Sequence, residues 1–71
     1  MGGISMTREE RNNWLINIEK TASFITSEIG AETVNFVLEK YGVKSVEQIA
    51  SADLSEVFSE LYAIEADLRS D

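Results

Sequence analysis

The stretch from Thr7 to Ile29, TREERNNWLINIEKTASFITSEI, decides the fold. It opens on Thr7-Arg8-Glu9-Glu10, a capping box in which the Thr7 hydroxyl accepts from the Glu10 amide while the Glu10 carboxylate reaches back. Behind it Leu15, Ile18, Ala22, Ile25 and Ile29 follow at spacings of 3, 4, 3 and 4. At about 100° per residue these positions share one stripe, with Trp14 on its edge. The pattern predicts a first helix over 7–29. Gly30 breaks or kinks it, since glycine is costly in a helix interior.

Working outward, Val34, Val37, Leu38 and Tyr41 share one face of a second helix expected over 31–41. Gly42 suits the left-handed residue past its end, and Val43 closes the apolar contact of a Schellman cap. Ser45-Val46-Glu47-Gln48 offers another capping box, for a short helical turn holding Val46 and Ile49. Asp53-Leu54-Ser55-Glu56 repeats the logic and starts a last helix running to Arg69. Its apolar face is Leu54, Val57, Phe58, Leu61, Ile64 and Leu68.

No strand-like alternation competes with these patterns. Short connections mean that neighbouring helices pack against each other. The expected fold is all-α: a small bundle of three main helices with a short extra helical turn between the second and third. The single helical domain takes residues 7–71, after a flexible leader at 1–6 in which Met6 is a second candidate start. Trp14, Ile18, Ile25, Leu38, Leu61 and Ile64 are the expected core.

Seventy-one residues make one domain that buries only about 60% of the surface its unfolded chain exposes. Histidine and cysteine are both absent. That removes the usual general base, the thiolate nucleophile, disulfides and the commonest ligands of transition metals. No residue set matches a catalytic arrangement, so the expectation is a protein without enzymatic activity, cofactor or metal. No apolar run reaches the roughly 20 residues a membrane span needs. Met1-Gly2 fails as a myristoylation start because Met6 stands where Ser or Thr is required. A cytoplasmic location is expected.

The net charge of −7 is unevenly spread. Residues 45–71 hold Glu47, Asp53, Glu56, Glu60, Glu65, Asp67 and Asp71 against Arg69 alone. Such a half repels nucleic-acid phosphates and attracts basic partners.

Three surfaces are candidates for interaction. Phe24 points about 130° away from the first helix's stripe, near Ile16, and Phe36 lies opposite Val34 and Tyr41. Either a kink at Gly30 swings both rings into one core, or they form a patch for a partner. On the last helix Ala52, Ser55, Ser59, Ala63, Ala66 and Ser70 align small side chains opposite the core face, which would let another helix approach closely. Beside them Asp53, Glu56, Glu60 and Asp67 form an acidic row. It suits a basic protein surface, and it could also imitate phosphates. Glu65 falls inside the apolar arc, where Arg11 or Arg69 can pair with it.

The stretch Tyr41-Gly42-Val43-Lys44-Ser45-Val46-Glu47-Gln48-Ile49 has the outline of a helix-hairpin-helix turn. With only Lys40 and Lys44 nearby it lacks the basic flanks that grip DNA. The run from Tyr41-Gly42 through Ser55-Glu56-Val57-Phe58-Ser59-Glu60-Leu61-Tyr62-Ala63-Ile64-Glu65-Ala66-Asp67-Leu68-Arg69 resembles small uncharacterised helical proteins of conjugative and mobilisable elements in gut Firmicutes. The resemblance implies a cytoplasmic accessory protein of a mobile element and transfers no site residue. The functional expectation is a protein–protein interaction module whose partner is another protein or a second copy, as in a homodimer. The alternative is an acidic DNA mimic, or anti-defence protein, occupying a nucleic-acid-binding site. Neither reading involves direct nucleic-acid binding or a membrane.

Overall fold

A computed structural model describes residues 6–70. Of the expected leader, 1–5 lie outside the described residues, while Met6 packs against the core. The described chain is all-α: α1 (Arg8–Ile29), α2 (Glu32–Lys40) and α3 (Leu54–Arg69), with 3-10 turns at Val46–Gln48 and Ser51–Asp53 between the last two.

The predicted capping box starts α1. Glu10 N–H donates to the Thr7 hydroxyl at 3.0 Å and Thr7 N–H donates to Glu10 Oε1 at 2.9 Å. Gly30 ends the helix outright at φ 93°, a conformation that side-chain-bearing residues rarely adopt. A Schellman cap closes α2: Gly42, at φ 73°, donates its N–H to the Glu39 carbonyl, and Val43 donates to that of Leu38.

The other two expected capping boxes do not form. Gln48 N–H donates to the Ser45 carbonyl, which makes a 3-10 turn and leaves the Ser45 hydroxyl without its cap role. The Gln48 side chain instead accepts from Lys44 N–H at 2.9 Å. Asp53 closes the second 3-10 turn, and its N–H is already spent on the Ala50 carbonyl at 2.8 Å. No donor remains there for Glu56 to meet.

α1 and α3 lie side by side and run in the same direction. Arg11 reaches Ser51, Trp14 meets Phe58, and Phe24 lies under Arg69, in that order along both helices. Between them sits one core of Ile18, Ile25, Val34, Val37, Leu38, Ile49, Leu54, Val57 and Leu61. Trp14 and Ile64, expected inside, pack on it only half-buried. Ile29 leaves the stripe for solvent because α1 ends there, beside an exposed Gly30 and Ala31. Thr21 is buried although polar, since α3 covers that side of α1. Among the described residues Arg11 pairs with neither Glu65 nor any other carboxylate: it donates to the Ser51 hydroxyl and the Glu47 carbonyl, bracketing both 3-10 turns onto α1.

Leu61 has no solvent exposure. Leu61→Ala should therefore cost roughly 2–5 kcal/mol, a large share of what a domain this small has. Denaturant unfolding followed by circular dichroism measures the loss.

Candidate functional site

Because α3 lies along α1 rather than across it, a seam runs between the two helices. Its centre is aromatic. Trp14 meets Phe58 edge to face with ring centres 5.8 Å apart, and Tyr62 stacks on Phe58 at 5.6 Å and 22°. Trp14 and Phe58 are half-buried and Tyr62 is 52% exposed, so the rings are held in place but not covered. Asn13 and Asn17 border them on the α1 side.

The far end of the seam is polar. The Arg69 guanidinium lies 4.3 Å from the centre of the Phe24 ring, a stacked cation–π contact. Glu65 accepts from Arg69 Nε at 2.7 Å, so the partner of Glu65 is Arg69. That bond holds the Glu65 carboxyl below the ordinary glutamate value, and the Thr21 hydroxyl and Lys20 charge act the same way.

The two off-face phenylalanines have different fates, and neither joins the common core that a kink would produce. Phe24 is half-buried in the seam because α3 packs past the edge of α1's apolar stripe. Phe36 is 63% exposed, with the Lys40 ammonium 5.7 Å from its ring centre. The chain restarts at Gly30, so α2 turns its own face of Val34, Val37 and Leu38 inward and Phe36 outward.

On α3, Ser55, Ser59, Ala63 and Ala66 are all exposed, as the small-residue stripe predicts. The acidic row beside them is broken. Tyr41 donates its hydroxyl to Glu60 and Lys40 pairs with the same carboxylate. Asp53 is half-buried at the end of the second 3-10 turn, which leaves Glu56 and Asp67 as the exposed members. Only the fold could reveal this, because Tyr41 and Lys40 arrive from α2 and its cap.

Both partners in the Tyr41–Glu60 pair keep their ordinary protonation at neutral pH. The bonds from Lys40 and Tyr41 hold Glu60 low despite some desolvation. The bond to Glu60, partial burial and the nearby charges of Glu60, Glu56 and Asp53 push Tyr41 up to about 12. Neither group is poised for proton transfer near pH 7.

The seam was only partly visible in the sequence. Apolar spacing places Trp14 and Phe58 with the core faces and gives Tyr62 no role. The spacing Phe58-x-x-x-Tyr62 places two rings one turn apart, the signal that could have found it. Among the described residues no group of acidic side chains gathers as a metal site, and no described helix is long and apolar enough to cross a membrane. No family model, curated protein or solved structure matches the chain.

Glu60 and Glu65 are both held below the ordinary carboxyl value of 4.5, so their contributions are present above it and fade as pH falls through the lower folded values. Tyr41 is raised, so its contribution is full below 10.0 and fades as pH rises toward about 12. Stability against pH should be flat between these limbs, and Glu60→Gln should shrink both. Urea midpoints across the pH range measure it.

Proposed function

We propose that this chain is a non-enzymatic interaction module that receives a helix of a protein partner in the seam between α1 and α3. The observation that carries the reading is the row Trp14, Phe58 and Tyr62, fixed by ring packing on two helices and left partly uncovered. Aromatic anchors held rigid before binding are what protein interfaces concentrate their energy on. Two helices packed about 8–10 Å apart leave a groove that a third helix can enter by ridges-into-grooves packing. With the mobile-element proteins it resembles, we read it as a cytoplasmic accessory protein.

A photo-reactive phenylalanine analogue placed in turn at Tyr62, Ser59 and Phe36 tests the reading in the native host. All three positions are exposed, so the fold should persist. A protein adduct is expected from Tyr62. Adducts from Ser59 or Phe36 alone, or from none of the three, would overturn the seam as the docking site.

DNA binding is not expected. Residues 45–71 carry seven acids against Arg69, so duplex and single-stranded probes should migrate unretarded at physiological salt. Salt-sensitive retardation at micromolar protein would contradict this.

A further inference from the structure

We propose that the occupant of the seam is a second copy of this chain, laid antiparallel about a two-fold axis at the level of Leu15. The inference rests on the interaction-module reading and names its partner. Along the outer edge of the seam α1 presents Glu10, Asn13, Asn17 and Lys20, spaced 3, 4 and 3 and all exposed. These share one helical face, with a carboxylate at one end, an ammonium at the other and two amides between.

Reversed, the stripe reads as its own complement. An antiparallel copy sets Glu10 opposite Lys20 of the second copy, and Asn13 opposite Asn17 of the second copy. Both contacts occur twice, as two-fold symmetry requires. Side-chain amides donate and accept, so the facing asparagines satisfy each other in either orientation. A parallel copy would instead put Glu10 on Glu10 and Lys20 on Lys20.

Charge also argues for this face over others. With 13 acids against 6 bases, most of the surface repels a copy of itself, whereas this stripe carries one charge of each sign. Trp14 and Phe58 lie beside the stripe close to the level of the axis, with Tyr62 one turn beyond, so the rings of the two copies flank the paired asparagines on one side. Aromatic rings close to the axis with charges at the rim are what specific interfaces concentrate. Burying them would also reinforce a core that no disulfide supports.

Sedimentation equilibrium of the full chain from low to high micromolar concentration tests the premise, and complementary charge variants test the register. In Asn13→Asp/Asn17→Asp and in Asn13→Lys/Asn17→Lys, both Asn13–Asn17 contacts become like-charge pairs while Glu10 still faces Lys20 of the second copy. Neither variant touches the Thr7–Glu10 cap, and circular dichroism checks that both remain helical. The wild type should dimerise, each double variant alone should be at least about tenfold weaker, and their equimolar mixture should regain the dimer through opposite-charge pairs. Lys20→Glu should weaken the wild-type dimer in the same way. A wild-type monomer at every concentration, or no recovery in the mixture, would overturn the proposal. A monomer that still forms a foreign adduct from Tyr62 would sink the second copy alone; a monomer with no adduct at all would sink the interaction reading as well.

Discussion

Leu54, Val57 and Leu61 bury completely in the same cluster as Ile18 and Ile25, and this contact holds α1 and α3 side by side in one direction. Parallel neighbours cannot be joined by a short loop. The chain must travel back along the bundle before α3 can start, and α2 with its two 3-10 turns is that return path. Gly30 supplies the first reversal at positive φ, Gly42 ends α2 at positive φ partway along the return, and Arg11 ties the 3-10 turns to the start of α1 through Ser51 and Glu47. Each of these features serves the one parallel contact.

The same contact creates the surface. An apolar stripe on α1 has two partners, α2 and α3, so α3 packs off-centre and reaches beyond the stripe to Thr21 and Phe24. Rings at that edge are gripped from one side and open on the other. Phe58 is restrained by Trp14 and Tyr62 by Phe58, so a partner need not pay to order them. Rigid, half-covered aromatics on helices separate this seam from the Ser and Ala stripe of α3, which is exposed but offers little apolar area.

The acidic character of the C-terminal half is also redistributed by packing. Glu60 and Glu65 sit on different faces of α3, and each is neutralised by a base, Lys40 from α2 in one case and Arg69 from α3 itself in the other. The row of carboxylates that periodicity suggests is therefore interrupted at Glu60. What faces solvent on that edge is Glu56 and Asp67, beside small side chains.

Local pattern alone determined the three helices, the Thr7 cap, the interruption at Gly30, the Gly42 Schellman cap and the inward places of Ile18, Ile25, Leu38 and Leu61. These depend on spacing within one element and on backbone preferences of single residues, which a linear sequence carries. It also determined that the small-residue stripe of α3 would lie exposed. Only the tertiary structure decided that α3 lies parallel to α1, and with it everything that depends on which helix covers which edge. Phe24 entering the seam while Phe36 stays outside, Thr21 buried and Tyr41 bonding Glu60 all depend on residues far apart in the chain, and Arg11 is drawn across the fold to Ser51 and Glu47, which leaves Glu65 to Arg69 one turn away. Two caps read from Ser45 and Asp53 failed for the same reason: the return path tightens into 3-10 turns, whose own backbone bonds claim the groups those caps would have used. Spacing along one helix states which side chains share a face; only the packing of a second helix determines how far that face extends.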